Sequence, residues 1–546
     1  MLAKSVFFLL LLSSIAFGQD VVKDEGITSD LHRKNVGKII FTAKAIPVET
    51  LKESDFIQSV QLNETSDLAI KAFLGNSLTN YLHLLAPALS AAELTRQGNY
   101  QFSFFVDGVL VDTENLYPAW IPAETQNTKT IYSATFINSA TPDSRWGAIW
   151  HLFLMNGGDQ ALTTGKHLLK LELRPYLQTT ELKVGSLIAA GDLQLNVIKP
   201  TVDEKLTQLQ AIQPDSGWQL STDTYDKEKI RELNRAITAK LYKEIKSVVV
   251  IKNGKLLLEE YFNGADRSTL HNPRSVGKSF ASTMMGIAIG EGYIKSESQT
   301  LKDFYNLRDF ANYSPRKETV TLKSLLTMSS GFDANDDEDN SPGNEAKMYP
   351  TDNWVKFALD VPMDDKTAVG EKWRYFTAGV IALGDIINKS VPGGLEKYAG
   401  EKLFQPLGIT KYQWQYTPQK VPNTAGGLQL RALDFAKYGL LYQNGGTWNG
   451  KQIIPREWVA KTFTRQINRG SGPDDFYGYL FWNNTFNVKA KKLEAFYATG
   501  NGGNKIYVFK DQPLVVVVTA TAFGKWYMHR QINSMMERYI LPAVVR

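Results

Sequence analysis

The period of the hydrophobic pattern changes along this chain, and this change constrains the fold more than any other feature of the sequence. Within residues 35–200 apolar and polar side chains alternate; Leu169, Leu171 and Leu173, for example, are separated by charged residues. Alternation with period two is typical of a strand that has one buried face. After residue 225, helical and strand-like spacings are mixed instead. Because 546 residues also exceed the size of one ordinary domain, the sequence predicts two domains of different architecture.

Residues 35–200 are predicted to form a β-rich, sandwich-like domain. Two β-rich runs, residues 101–106 and 109–112, are joined by Asp107-Gly108, a dipeptide that favours a two-residue hairpin turn. Leucine- and alanine-rich sequence over residues 66–96 breaks the alternation and predicts a helical insertion there. The pattern indicates no function for this domain.

Residues 201–225 are predicted to be a linker, because they lack periodicity and contain Pro214 and Gly217. Residues 226–546 are predicted to form an α+β domain. Strands from both ends of this domain would build one antiparallel sheet, flanked by helices and interrupted by a helical insertion at about 275–490. The runs behind this prediction are residues 230–241 and 532–539 for helices, and residues 248–251, 256–261, 506–510 and 514–520 for strands.

The first 18 residues predict a secretory signal peptide. Lys4 precedes an apolar run at residues 6–12, and the small residues Ala16 and Gly18 define a cleavage site after Gly18. The apolar run is shorter than the roughly 20 residues of a membrane-spanning helix. Because the chain has no cysteine that could carry a lipid, we expect a bacterial protein that is periplasmic or secreted and is not stably inserted in a membrane after signal removal.

Composition excludes several classes of function. A net charge of +5 from 61 basic and 56 acidic residues is too balanced for a nucleic-acid binder. The absence of cysteine excludes disulfides, thiolate nucleophiles and cysteine metal sites. The acidic run at residues 333–339 resembles a calcium loop, but its sixth position is Glu338 rather than glycine and its twelfth is Asn344 rather than glutamate. We expect a solvated loop near the mouth of a pocket, no metal and no cofactor.

A serine and a lysine three residues apart, Ser275 and Lys278, precede an apolar helical pattern. Residues at this spacing share one face of a helix, so the hydroxyl and the ammonium can meet. Taken alone, the pair is a weak signal. The same spacing recurs at Ser314 and Lys317, where no apolar helix follows.

Two other interpretations of these residues do not fit the sequence. Gly277-Lys278-Ser279 ends like a phosphate-binding P-loop, but Asn272 occupies the position where that motif requires glycine. A Ser-His-Asp hydrolase needs a histidine, and this domain offers only His271 and His529, which we interpret as structural. The chain also contains no Gly-x-Ser-x-Gly motif.

Further motifs follow the Ser275 segment in a specific order, and together they resemble the serine β-lactamase-like superfamily. That superfamily includes class C β-lactamases, penicillin-binding D-alanyl-D-alanine peptidases, esterases of the same fold and 6-aminohexanoate dimer hydrolases. The resemblance covers about residues 226–546 and does not extend to the first 200 residues. Its motifs are residues 321–331 (TLKSLLTMSSG), 370–377 (GEKWRYFT) and 496–503 (FYATGNGG).

The resemblance implies a role for each matching residue. Ser275 would be the nucleophile, and Lys278 would accept or relay its proton. A serine hydroxyl needs such a base, and a lysine acts as one only when its surroundings lower its pKa, so we expect Lys278 to be buried. Tyr375 would pass a proton to the leaving group. The backbone N–H groups of Ser275 and of Asn501, expected on the strand edge, would form the oxyanion hole.

Departures from the family pattern bear on the substrate. β-Lactamases and peptidases have Lys-Thr-Gly where this chain has Ala498-Thr499-Gly500, so the cation that would recognise a substrate carboxylate is missing. Thr377 stands where the family has asparagine, at the contact to a substrate amide. The substrate-binding residues implied by the resemblance are Thr377, Thr499, Gly500 and Gly502.

The sequence therefore predicts an exported serine hydrolase that acts on a small-molecule or peptide-like ester or amide through an acyl-enzyme on Ser275. Three alternatives stay open. The protein could be a penicillin-binding D-alanyl-D-alanine peptidase or β-lactamase. It could recognise penicillin without turnover, or it could bind carbohydrate through its N-terminal domain.

Overall fold

The computed structural model describes residues 20–141, 143–213, 217–470, 472 and 474–545. Two compact units divide this chain, one ending at Pro200 and the other beginning at Thr201. The predicted signal peptide and Pro214 lie outside the described residues. Within the described ranges, no helix combines the length and the apolar character needed to cross a membrane.

The first unit contains two sheets, one of six strands in the order β2-β9-β7-β4-β5 with β8 paired to β7, and one of three strands in the order β1-β3-β6. All pairs are antiparallel except β2 with β9. The strands are β1 (Ile39–Thr42), β2 (Ser59–Leu62), β3 (Leu68–Phe73), β4 (Gly98–Val106), β5 (Val109–Asn115), β6 (Ile131–Ile137), β7 (Gly165–Gln178), β8 (Leu182–Val184) and β9 (Ala189–Val197).

Both sheets of this unit contribute to one hydrophobic core. Phe102 and Leu171 from the larger sheet are fully buried in the same cluster as Ile70 from the smaller one. The expected alternation is present in β7, where Leu169, Leu171 and Leu173 are buried. The β-rich architecture predicted for this region is therefore confirmed, and β4 and β5 form the predicted hairpin.

The helical insertion predicted over residues 66–96 is wrong at its start. Leu68–Phe73 is a strand, buried at every position, and it pairs with β1 on one side and β6 on the other. A short apolar run buried on both faces carries no period that separates a strand from a helix. Helices do follow, each begun by a serine that caps it, Ser77 or Ser90. The helices of the unit are α1 (Asp30–Asn35), α2 (Leu78–Leu85), α3 (Ala91–Gln97), α4 (Ala123–Thr128), α5 (Ala148–Phe153) and α6 (Asp159–Ala161).

The second unit is built on an eight-stranded antiparallel sheet in the order β11-β10-β21-β20-β19-β18-β17-β16. Its neighbouring strands β10 and β21 come from opposite ends of the unit, which confirms the predicted α+β layout. The strands are β10 (Ile245–Lys252), β11 (Lys255–Tyr261), β12 (Gln413–Trp414), β13 (Leu428–Gln429), β14 (Thr447–Trp448), β15 (Lys451–Gln452), β16 (Ile467–Asn468), β17 (Phe476–Tyr477), β18 (Trp482–Val488), β19 (Lys491–Gly500), β20 (Asn504–Phe509) and β21 (Leu514–Ala520).

Helix α8 begins just after Ser275 and is buried along almost its whole length. Its glycines permit this packing, since a side chain at Gly286 would collide with the indole of Trp458. Helix α8 lies against α12 and β19. This packing brings the Ser275–Lys278 segment next to the motifs at residues 370–377 and 496–503. The helices are α7 (Lys227–Thr238), α8 (Val276–Gly290), α9 (Leu322–Leu326), α10 (Glu345–Met348), α11 (Trp354–Asp360), α12 (Thr377–Ser390), α13 (Gly394–Ala399), α14 (Ala432–Gln443), α15 (Arg456–Thr462), α16 (Met528–Met535) and α17 (Leu541–Val544).

The described part of the predicted linker packs on this second unit. Leu220 forms a β-bridge with Leu256, and the side chain of Gln210 bonds both the N–H and the carbonyl of Tyr261. These contacts tie residues 201–225 to β11.

Candidate active site

Ser275 and Lys278 meet at the start of α8. The Nζ of Lys278 donates a hydrogen bond of 2.9 Å to the Oγ of Ser275 and a second of 2.9 Å to the carbonyl of Ala425. The lysine is 2% exposed, whereas Ser275 is only partly buried. The hydroxyl can therefore be reached from solvent while the amine beside it cannot.

Close backbone packing fixes the serine at this position. Arg274, immediately before it, has a φ of +53°, a left-handed conformation that residues with a Cβ rarely adopt. A Cβ on Gly277 would lie 3.1 Å from the backbone of Gly426, closer than most Cβ atoms come to a neighbour, so glycine favours this close approach of the first turn of α8. The loop before Ser275 and the first turn of α8 are thus held by their neighbours.

The end of β19 lies against the loop that carries Ser275. A Cβ on Gly500 would be 1.8 Å from the carbonyl oxygen of Pro273 and 2.9 Å from the backbone nitrogen of Ser275. In the part of the chain that the structure describes, neither the N–H of Ser275 nor that of Asn501 donates a hydrogen bond. An oxyanion hole requires two such unpaired donors beside the nucleophile.

Asn501 lies in a turn rather than on the strand edge where we expected it. Strand β19 ends at Gly500, and left-handed glycines, Gly502 and Gly503 with φ of +91° and +95°, complete the turn. This tight reversal needs two successive positive φ angles. The alternating pattern of β19 does not predict where the strand ends and this turn begins. The N–H of Gly502 donates to the sulfur of Met528 at 3.3 Å.

Tyr375 faces the lysine through its ring. The Nζ of Lys278 lies 5.0 Å from the ring centroid. The tyrosine also belongs to an aromatic cluster with Trp373 and Trp482, whose ring centroids are 6.0 and 5.9 Å away. The guanidinium of Arg469 stacks on Trp482 at 4.3 Å. An aromatic wall therefore lines one side of the Ser275–Lys278 pair.

The predicted substrate-binding threonines are both buried. The Oγ1 atoms of Thr377 and Thr499 have no hydrogen-bond partner in the described chain. Ala498, which stands where the family has lysine, is fully buried and carries no charge. Lys505 pairs with Thr499 across the strands, but its ammonium lies 4.4 Å over the ring of Tyr497. Burial lowers the pKa of Lys505 to about 7.

The acidic run at residues 333–339 is only partly the solvated loop that we expected. Asp336 is half-buried and accepts hydrogen bonds of 2.8 Å from the N–H of Glu345 and the N–H of Thr377. Its own N–H donates to the carbonyl of Tyr375 at 2.9 Å. The carboxylate therefore holds the Tyr375–Thr377 segment in place.

Asp336 is the site residue that sequence reasoning missed. Burial raises its pKa to about 6, and the positive charge of Lys278 opposes this rise. Nothing in the local pattern distinguishes it from Asp337, Glu338 and Asp339, which are exposed. Among the described residues, no group of three or more histidine, aspartate or glutamate side chains could hold a metal ion.

The histidines do not join the serine. Burial lowers the pKa of His271 to about 4, and burial together with the Lys505 charge lowers that of His529 to about 3. Throughout the described ranges, Ser275 shares no hydrogen bond with either residue. Both imidazoles are therefore neutral near pH 7.

The second serine–lysine pair differs from the first. Lys317 is buried and donates to the carbonyl oxygens of Ala311 and Leu359 at 2.9 and 2.6 Å. Ser314 precedes a short 3₁₀ helix, and its Oγ has no partner in the described chain. Spacing alone does not bring a serine and a lysine together.

The sheet, the buried lysine and the accessible serine define a serine hydrolase of the β-lactamase type. The family model named Beta-lactamase matches residues 239–534, more than half of the chain, and the protein belongs to this family. Its members are serine hydrolases.

The individual proteins that this chain resembles share only a small part of its sequence. Protein flp of Staphylococcus aureus strain N315 is 25% identical over 195 residues, which are 34% of this chain and 38% of the relative. This chain thus spans less than half the length of that relative. A penicillin-binding protein homologue from Caulobacter crescentus is 14% identical, with coverage of 60% and 98% and a TM-score of 0.45. An octameric homologue from Pyrococcus abyssi is 21% identical, with coverage of 54% and 72% and a TM-score of 0.41.

Proposed function

We propose that this protein is an exported serine hydrolase that cleaves an ester or a simple amide through an acyl-enzyme on Ser275. One observation carries the proposal. The amine of Lys278 is 2.9 Å from the Oγ of Ser275 and is shielded from solvent, while the serine is not.

These positions support the following reaction. Lys278 takes the proton of Ser275 as the oxygen attacks the carbonyl carbon, because an un-ionised hydroxyl is a poor nucleophile. The N–H groups of Ser275 and Asn501 stabilise the developing oxyanion, an effect of about 3 kcal/mol for each donor. Tyr375 relays this proton from Lys278 to the leaving group as the tetrahedral intermediate collapses and the bond to the leaving group breaks. Water then attacks the acyl carbonyl carbon, its proton returns through the same two residues to the Oγ of Ser275, and the carboxylic acid product leaves.

The substrate class is inferred from the third motif. Ala498 leaves that strand without the cation that would bind the carboxylate of a β-lactam or a stem peptide. The ammonium of Lys505 does not replace it, since it packs over Tyr497. Esters and simple amides need no cation at this point.

Steady-state kinetics test the reaction and the substrate class together. Wild type and Ser275→Ala are compared with 4-nitrophenyl acetate and with the β-lactam nitrocefin. We expect ester hydrolysis that is lost in Ser275→Ala and little turnover of nitrocefin. Faster turnover of nitrocefin than of the ester would favour the β-lactamase alternative, and ester hydrolysis that persists in the variant would refute the assignment of Ser275.

Export is proposed from residues 1–18 alone. The mature protein, recovered from the periplasm or medium of a bacterial host, should begin at Gln19 in intact-mass analysis. A chain that keeps residues 1–18 and stays in the cytoplasm would contradict the proposal.

A further inference from the structure

Arg274, the residue immediately before Ser275, is held in a strained conformation. Its φ of +53° lies in the left-handed region, where an arginine costs free energy that a glycine would not. Strained backbone persists where the surrounding structure enforces it, and it concentrates at functional sites. Here the strained residue carries a long cationic side chain and directly precedes the serine.

The side chain of Arg274 is held by Phe523. The centre of the guanidinium lies 4.7 Å from the centroid of the phenyl ring. Phe523 in turn lies against the turn after β19, because a Cβ on Gly502 would be 2.7 Å from its ring. The cation is thus fixed beside the turn that contains Asn501.

Arg274 keeps its hydrogen-bonding edge free. The side chain is exposed, and among the described residues no carboxylate lies within ion-pairing distance of it. Stacking covers one face of a guanidinium and leaves its planar edge of N–H donors available for an anion. The arginine therefore has a fixed position, and its charge has no carboxylate partner among the described residues.

Asp336 and Glu345 form an acidic wall beside the Tyr375–Thr377 segment. Tyr349 donates a hydrogen bond of 2.9 Å to the Glu345 carboxylate, and the Glu345 N–H donates to Asp336. Partial burial and Glu345 raise the pKa of Tyr349, and the Arg274 charge opposes this rise. An anion would be repelled by the acidic wall and attracted by the arginine.

We propose that Arg274 binds an anionic group of the substrate, so that the site prefers esters or amides that carry a carboxylate near the scissile bond. This inference rests on the proposed hydrolase function. The anionic group would then lie beside the loop that precedes the nucleophile, not at the strand position of Ala498, where β-lactamases and peptidases have a lysine.

Paired substrates test this proposal. One pair places the charge in the acyl group: mono-4-nitrophenyl glutarate and its neutral counterpart 4-nitrophenyl valerate. The other places it in the leaving group: 4-acetoxybenzoate and phenyl acetate. The quantity measured is charge selectivity, the kcat/KM of the anionic ester divided by that of the neutral one, in wild type, Arg274→Gln and Arg274→Lys. Arg308→Gln is the matched control, because Arg308 is also exposed and stacked, 4.5 Å over Tyr313, in a segment outside the site.

For at least one pair, Arg274→Gln should lower charge selectivity by about 10-fold or more, the usual size of a lost hydrogen bond to a charged group. The loss should appear as a higher KM for the anionic ester. Arg274→Lys should restore most of the charge selectivity, and Arg308→Gln should leave it unchanged. Turnover of the neutral ester by Arg274→Gln reports that the variant is folded. Unchanged selectivity in both pairs, with hydrolysis that still requires Ser275, would overturn the role of Arg274 alone. Hydrolysis that does not require Ser275 would overturn the proposed function and this inference with it.

Discussion

Replacing Gly500 with alanine should separate the oxyanion donors. The added Cβ would lie 1.8 Å from the carbonyl oxygen of Pro273, whereas real Cβ contacts shorter than 3.0 Å essentially do not occur. The end of β19 and the loop before Ser275 must therefore move apart by more than 1 Å along this contact. Both are backbone segments, so no flexible side chain can absorb the displacement.

A shift of this size moves the N–H of Asn501 away from the forming oxyanion. Loss of one such donor costs about 3 kcal/mol, or about 100-fold in kcat. KM should change much less, because the donor acts mainly in the transition state. The control is Gly472→Ala, since a Cβ at Gly472 meets nothing within 4 Å and its φ is not left-handed.

The assay is steady-state hydrolysis of 4-nitrophenyl acetate by the two variants and wild type, together with thermal unfolding. We expect Gly500→Ala to unfold at a somewhat lower temperature, to be folded at 25 °C and to lose kcat. A folded Gly500→Ala enzyme with nearly normal kcat would refute the oxyanion assignment, because the geometry leaves no way to keep the donor in place.

Three further predictions concern other parts of the molecule. Lys278→Met should keep the far-UV circular dichroism of wild type and lose at least about 100-fold in kcat, since a positioned base is removed; near-normal turnover would contradict its role. Asp336→Asn should lower kcat by loosening the Thr377 contact. Because the pKa of Asp336 is raised to about 6, its contribution to stability is present below about pH 4 and is lost as pH rises through 6. Denaturant unfolding should therefore show wild type losing at most about 3 kcal/mol relative to Asp336→Asn across this range, and a pH-independent difference would argue against it. Leu171→Ala should destabilise the first unit by about 2–5 kcal/mol, because Leu171 is fully buried, and an unchanged unfolding transition would contradict the shared core.

The parts of the fold that could be predicted from the sequence are those with a local cause. Ser275 and Lys278 are one helical turn apart and an apolar helical pattern follows them, so their contact follows from helical geometry. The hairpin of β10 and β11 is set by Asn253-Gly254, whose φ angles of +51° and +74° are those of its turn type. Each of these features is determined within a few residues.

The parts that could not be predicted depend on contacts between distant segments. Leu68–Phe73 is a strand because two other strands pair with it, and its own residues carry no period that shows this. The bond between Asp336 and Thr377 joins residues 41 positions apart, and stacking of Arg274 on Phe523 joins two ends of the domain. A local sequence pattern does not predict such long-range pairings. The acidic wall and the position of Arg274 could therefore be identified only from the structure.

The most direct test of the central claim is intact-mass analysis after reaction with a fluorophosphonate. In the labelling reaction the oxygen of Ser275 bonds to phosphorus and fluoride leaves, so the label reports an activated serine. Wild type should gain the mass of one phosphonyl group, Lys278→Met should label far more slowly, and Ser275→Ala should not label. Labelling that persists in Ser275→Ala would show that the nucleophile is another residue and would contradict the account.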